Sequence, residues 1–328
     1  MGHVRRRQFL SAAGALLAVP LGTGAQQQGR IVRLGFVTSG TAAASDYLAG
    51  FRDELRKLGW IEGQNIIIEY RYGMGDSQQL PELVAELLRL KVDLIVTTST
   101  PGALAAKSAT SETPVVFSMV SDPVASGIVA SLARPGGNLT GWSNMLPETS
   151  RKLLELLKEV TPKASRFAVL FDPANGGKLL EIRVLQEHSR HAGLILQLQP
   201  VRNLGDITAA FAAMTRERPD GFVILQDTVT ASNRKEIVDL AANARLPAIY
   251  QVSEFVDIGG LMSYGLNRVG QYRRTAVYVD RILRGAKPGE LPVEQPRVFE
   301  LVINLKAAKA LGLAIPQSIL VRADRLIG

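Results

Sequence analysis

The chain of 328 residues contains no cysteine. That absence removes disulfides, thiolate zinc sites and cysteine nucleophiles together, and with them a lipid anchor on an N-terminal cysteine. Histidine is scarce as well: His3 lies near the N-terminus, and His188 and His191 stand three apart on one predicted helix. No carboxylate-plus-histidine pattern accompanies that pair, so it reads as a solvated helix face, with no metal and no cofactor expected. There is no Gly-x-Ser-x-Gly elbow and no Gly-Lys-Ser/Thr phosphate loop. A hydrolase would have to use Ser99 or Ser121, and no base is evident to activate either. The chain therefore reads as a non-enzyme. No block of like charge is long enough to form a disordered tail.

The net charge is +8, but Arg5, Arg6 and Arg7 supply part of it, and without residues 1–25 it falls to +5. The other basic residues lie mostly on predicted helix faces, such as Arg52, Arg56 and Lys57. A nucleic-acid footprint needs a clustered basic stripe, so no nucleic-acid partner is expected. Nor does a helix-turn-helix head precede Arg30.

Arg5-Arg6-Arg7-Gln8-Phe9-Leu10 precedes a weakly apolar run from Ser11 to Leu21, and Thr23-Gly24-Ala25 offers small residues for cleavage. Charge, short apolar core and small-residue exit are the parts of a secretory signal. Arg-Arg-x-Phe-Leu is similar to the twin-arginine type. Pro20 and Gly22 interrupt the run, which falls short of the ~20 apolar residues of a membrane span. The expectation is a signal peptide over 1–25, cleaved near Ala25, and a periplasmic protein with no membrane anchor after processing.

From Arg30 onward, short β-rich runs alternate with longer stretches of helical periodicity. Leu48, Phe51, Leu55 and Leu58 recur at helical spacing, with Gly59 placed to stop the helix. Leu94–Thr97 is a continuous apolar run, as a strand covered on both faces requires. A helix is predicted over Val124–Leu132, ended by Arg-Pro-Gly-Gly. The strand–helix unit runs about four times, pauses near Asn138–Pro147, and runs about four times more. This predicts an α/β protein of two doubly wound parallel-sheet lobes joined by a multi-strand hinge. The expected division is 30–140 plus 258–290 for the first lobe and 141–257 plus 291–328 for the second. A monomer is expected.

In such sheets, ligands gather at the carboxyl ends of strands, where helix N-termini present free N–H groups. The loops expected there carry Ser39, Ser99, Thr100, Ser121 and Asp122 in the first half, and Asn175, Asp227, Thr228 and Tyr250 in the second. Hydroxyls and free amides suit a carboxylate, Asp227 an ammonium, and Tyr250 or Tyr264 a side chain. Each polar residue has a blander reading as a local cap or turn; Asp122 and Asp172 both precede proline.

Several segments together resemble one family. They are Phe51-Arg52-Asp53-Glu54-Leu55-Arg56-Lys57-Leu58-Gly59-Trp60, Asp93-Leu94-Ile95-Val96-Thr97, Ser121-Asp122-Pro123-Val124, Arg134-Pro135-Gly136-Gly137-Asn138-Leu139-Thr140-Gly141, Gly259-Gly260-Leu261-Met262-Ser263-Tyr264-Gly265 and Phe299-Glu300-Leu301-Val302-Ile303-Asn304-Leu305-Lys306. In this order they resemble the substrate-binding proteins of bacterial ABC importers related to the tryptophan/tyrosine-binding receptors. The resemblance implies a type I periplasmic binding fold that closes on a small-molecule ligand, with ABC permease and ATPase subunits as partners. An amino acid or related small carboxylate is the implied solute. The aromatic amino-acid receptors carry an acid shortly after Asn-x-Thr-Gly; this chain has Asn144 there, a weaker partner for an ammonium. A sensory receptor of the same fold, feeding a membrane signalling partner, is the alternative.

Overall fold

The computed structural model describes residues 30–41, 45–144 and 146–328. The signal peptide expected over 1–25 lies outside them. The first part comprises β1 (Val32–Thr38), α1 (Ser45–Lys57), β2 (Ile66–Tyr72), α2 (Leu80–Arg89), β3 (Leu94–Thr98), α3 (Ser99–Ala109), β4 (Val115–Val120) and β5 (Leu139–Ser143). Its strands form a parallel five-stranded sheet in the order β2-β1-β3-β4-β5.

The second part runs α4 (Leu146–Val160), β6 (Arg166–Phe171), α5 (Gly176–His191), β7 (Ile195–Pro200), α6 (Leu204–Glu217), β8 (Gly221–Ile224), α7 (Thr228–Ser232), α8 (Arg234–Asn243), β9 (Ala248–Tyr250), α9 (Glu254–Asp257) and β10 (Met262–Gly265). The chain then supplies α10 (Arg268–Leu283), β11 (Glu300–Asn304), α11 (Leu305–Leu311), α12 (Gln317–Leu320) and β12 (Arg325–Ile327). The second sheet has seven strands in the order β12-β11-β10-β9-β8-β6-β7. It is parallel except where β10 meets β11.

Burial on both faces explains the apolar runs. All of β3 is buried. On one side of the first sheet, Phe36, Phe51, Leu55 and Val96 pack with Tyr272, Ala276 and Val279 of α10; on the other, Val37 and Ile95 meet Leu80, Val84 and Leu87 of α2. The second sheet is sandwiched likewise, with Val169 and Ile249 facing one cluster and Ala168, Phe222 and Tyr250 the other. The structure thus has two parallel-sheet lobes. The chain passes between them three times: after β5, after β10, and between α10 and β11. The last passage runs beside β5, where Ser143 N donates to Glu294 O at 2.9 Å and Glu294 N to Gly141 O at 3.1 Å. Gly141, at φ 151°, is needed there, because a Cβ would lie 2.0 Å from Phe117 O.

Three local expectations are corrected. The pause near Asn138 contains β5, whose Leu-Thr-Gly-Trp-Ser sequence carries no apolar run. The predicted helix over Val124–Leu132 is a tight turn. Asp122 accepts from Val124 N at 3.0 Å and Ala125 N at 2.9 Å, and Gly127 at φ 68° ends the turn before a helix can propagate. Residues 258–290 do not all join the first lobe: β10 pairs with β9 and β11 in the second sheet, where Leu261 and Met262 are buried, and α10 crosses back. Likewise 141–143 complete β5 in the first sheet.

Candidate functional site

A cavity of about 310 Å³ lies between the lobes, at the carboxyl ends of β1, β3, β4, β6 and β8. Its size suits a small organic solute. Phe36, Leu48, Tyr72 and Tyr272 make one wall apolar and aromatic. Phe36 and Tyr272 are buried and stack with ring centroids 6.4 Å apart. Ser99, Ser121, Asn144, Asn175, Asp227 and Thr228 make another wall polar.

The first lobe's contribution rests on two residues with unusual backbone. Ser99 has φ 71° and Met119 φ 60°, and both line the cavity. Such left-handed residues gather at ligand sites, held there by their surroundings. Ser99 Oγ is buried and has no hydrogen-bond partner among the described residues. Thr98, at the N-cap of α3, makes no capping bond; its hydroxyl donates instead to Thr38 Oγ1 at 2.8 Å. The first turn of α3, in which Pro101 carries no N–H, thus has no side-chain cap and begins beside the cavity at the positive end of the helix dipole.

The second lobe contributes the end of β8 and the start of α5. Asp227 is the N-cap of α7 and forms a capping box with Thr230: Oδ1 accepts from Thr230 N at 3.1 Å, while Oδ2 accepts from Asp172 N at 3.1 Å. Burial pushes its carboxyl up to about 6; Lys178 lowers it and Asp172 raises it further. Asn175 caps α5, accepting from Gly177 N at 3.1 Å. One turn on, Lys178 reaches Glu181 at 2.7 Å, and both side chains are fully enclosed, at 2% and 0% exposure.

The two lobes touch across the cavity. Ser39 Oγ and Thr228 Oγ1 are 2.5 Å apart and share a hydrogen bond. Ser121 Oγ donates to Glu181 Oε1 at 3.2 Å. A Cβ on Gly177 would lie 2.6 Å from Ser121 Oγ and 2.7 Å from Thr100 Oγ1, so α5 of one lobe meets the α3 end of the other without room for a side chain. This is a closed arrangement.

Of the residues expected at the site, Ser99, Ser121, Asn144, Asn175, Asp227 and Thr228 line the cavity. Ser39 bonds to Thr228 rather than lining it, and Thr100 is buried behind it, accepting from Ser121 N at 3.3 Å. Three placements are corrected. Tyr250 is fully buried and stacks on Phe255 at 4.5 Å, so it cannot reach a ligand. Tyr264 stacks on Phe299 and borders a separate, much smaller cavity of about 20 Å³. Asp122 turns back to cap its own loop. Sequence reasoning missed Phe36, Tyr72, Lys178, Arg268 and Tyr272. Phe36 and Tyr72 lie at the ends of β1 and β2, where their strand position was a usable signal; Arg268 and Tyr272 come from α10, whose return to the first lobe no local pattern announces. A base near Ser121 was also unforeseen. Glu181 stands there, but its oxygens already accept from Lys178 at 2.7 Å, Ser150 at 2.7 Å and Gln251 at 2.7 Å.

Comparison with known proteins is consistent with this geometry. Residues 37–327 match the family model described as ABC transporter substrate binding protein. A tyrosine-binding protein of Clostridioides difficile is 26% identical over 264 residues, 80% of this chain and 76% of that protein. A Streptococcus pneumoniae ABC domain in complex with L-Trp superposes with a TM-score of 0.83 at 26% identity, covering 90% of this chain and 99% of that one. The ligand-free, open structure of a Clostridium difficile substrate-binding protein with adhesive properties gives 0.64 at the same 26% identity, covering 90% and 99%.

Proposed function

The chain belongs to the ABC transporter substrate binding protein family and has the type I periplasmic binding protein fold, and from that premise we propose that it captures an amino acid or related small carboxylate with an aromatic body, such as tryptophan or tyrosine. The observation that carries the reading is a closed cavity with an aromatic wall on one side and polar, oppositely charged groups on the other. The ring of the solute lies against Phe36, Tyr72 and Tyr272, where stacked or edge-on contacts add about 0.5–1.5 kcal/mol beyond area burial. Its carboxylate takes the free amides of α3 and the Ser99 hydroxyl; its ammonium takes Asp227. Asn144 is the weaker partner for the ammonium, because it is a neutral amide whose Oδ1 already accepts from Gln271 Nε2 at 3.1 Å.

Closure then makes the loaded form distinct from the empty one. In this reading the chain is exported with its signal peptide removed, acts as a monomer outside the cytoplasm, and delivers its solute to an ABC permease and ATPase. The better superposition on the tryptophan complex than on an open, ligand-free relative supports closure as the loaded state.

Isothermal titration of the mature protein against amino acids, small carboxylates and nucleosides tests the proposal, with small-angle scattering on the same samples. Binding of an aromatic amino acid with a fall in radius of gyration is expected. No binder across the panel, with no compaction, refutes it.

A further inference from the structure

We propose that Lys178 receives the carboxylate of the bound solute, with Glu181 as the positioning residue that holds it there. This deepens the receptor reading above and rests on it.

An ammonium carries three N–H donors. Lys178 is 2% exposed, and among the described residues its Nζ has one partner, Glu181 Oε1 at 2.7 Å. Buried charge is tolerated when its hydrogen-bonding capacity is met. Here the capacity of Glu181 is met and that of Lys178 is not. Glu181 accepts from Lys178, Ser150 and Gln251, and from Ser121 of the opposite lobe. Asp227 does not complete Lys178, since its bonds go to Asp172 N and to Thr230. Lys178 lines the cavity beside Asn175, Ser121 and Asp227. A ligand carboxylate placed there takes the remaining donors.

The position adds two effects. Lys178 lies in the first turn of α5, whose dipole favours an anion. That turn also faces the start of α3 across the cleft, as the close approach of Gly177 to Thr100 and Ser121 records. The carboxylate would therefore bridge α3 of one lobe and Lys178 of the other. Ser121 reaches Glu181 in the same closed arrangement, so filling the anion seat and closing the cleft favour each other. Arg268 is a rival cation on the cavity wall, but it sits with Met119 and Tyr272 on the apolar side, its Nη2 4.0 Å from Met119 Sδ.

The test is a comparison of L-tyrosine with L-tyrosinamide, which lacks the carboxylate charge, by calorimetry. Removing Lys178 alone would orphan Glu181, so the pair is neutralised together in Lys178→Gln/Glu181→Gln, with Arg268→Gln as a parallel variant. Wild type is expected to prefer tyrosine by about 100-fold, the magnitude of a buried charge-assisted pair. The double variant is expected to reduce that ratio to below about fivefold, while Arg268→Gln keeps it. A ratio retained in the double variant, or lost in Arg268→Gln, overturns the assignment and leaves the receptor reading standing. If the double variant does not fold, a wild-type ratio under about tenfold still overturns it. A wild-type protein that binds neither compound nor tryptophan removes the aromatic-ligand reading and this assignment with it.

Discussion

Asp227→Ala is expected to lower ligand affinity and thermal stability together, by separable amounts. The stability loss comes from the cap. Asp227 accepts from Thr230 N and Asp172 N, and alanine leaves both amides without that acceptor. Loss of an N-cap costs about 1 kcal/mol, and an orphaned buried donor about 1–3 kcal/mol. A total of about 2–4 kcal/mol corresponds, for a protein of this size, to a Tm lowered by about 3–6 °C. The affinity loss comes from the charge. A charge-assisted hydrogen bond contributes about 1.5–3 kcal/mol, so affinity for a zwitterion should fall by about 10- to 150-fold. Asp227→Asn separates the two: its Oδ1 retains one acceptor for the cap, so Tm falls less, while the charge is lost in full. Calorimetry with L-tyrosine and with 3-(4-hydroxyphenyl)propanoate, which lacks the ammonium, completes the cycle. Both variants should weaken tyrosine and leave the propanoate within about threefold of its wild-type affinity. Equal loss for the two ligands would show that Asp227 acts by shaping the cavity, and the ammonium assignment would be wrong.

The pH dependence follows from the same carboxyl, raised to about 6 by burial against its ordinary 3.8. In the empty protein the folded state binds the proton more tightly than the unfolded chain, so stability contributed by this group declines as pH rises from about 4 to about 6. Ligand binding has the opposite sign, because the ammonium selects the ionised form: affinity should fall roughly tenfold per unit below pH 6, and Asp227→Asn should flatten both profiles. Melting curves and titrations between pH 4 and 8 check this; a profile unchanged in Asp227→Asn would assign the titration elsewhere. Tyr72→Leu should reduce the preference for tryptophan over leucine by about three- to tenfold, from loss of an aromatic contact. Competition calorimetry measures it, and an unchanged preference would remove Tyr72 from the ring-binding wall.

The lobes were legible because their signal is local. Val-Asp-Leu-Ile-Val-Thr declares a doubly covered strand wherever it stands, and Leu80, Val84 and Leu87 declare the buried side of α2. The site was legible where a polar residue followed a strand within a few positions, as Ser99 and Ser121 do directly and Asp227 does three residues after β8. Tyr250 also follows that rule by position, but as the last residue of β9 its side chain points into the packed layer with Phe255. Strand alternation decides which side an end residue faces, and a three-residue strand fixes that only once its neighbours are known. Asp227 shows a different limit. Cap and cavity residue had been alternatives in the sequence; one carboxylate caps α7 and also lines the cavity. Lys178 was hidden more deeply, since a lysine in a first helical turn reads as surface until the opposing lobe covers it.

Closure itself sets the final test. The hydrogen bonds seen across the cleft, Ser39 with Thr228 and Ser121 with Glu181, each contribute a net of about 0.5–1.5 kcal/mol, because water replaces them when the lobes part. Closing also desolvates Lys178, Asp227 and Asn175 around an unfilled cavity, which opposes those gains. The solute must supply the difference, and it shifts the equilibrium only by its excess affinity for the closed form. Gly177 is where this balance is most exposed to substitution. A Cβ there would overlap Ser121 and Thr100 of the other lobe, while within its own helix the position tolerates a side chain. Gly177→Val should therefore keep the melting temperature of the empty protein within a few degrees, prevent full compaction in scattering with saturating ligand, and weaken binding at least tenfold. Wild-type compaction and affinity in that variant would mean that α5 does not meet α3 in the loaded state, and that the contacts described across the cleft are not those that hold the solute.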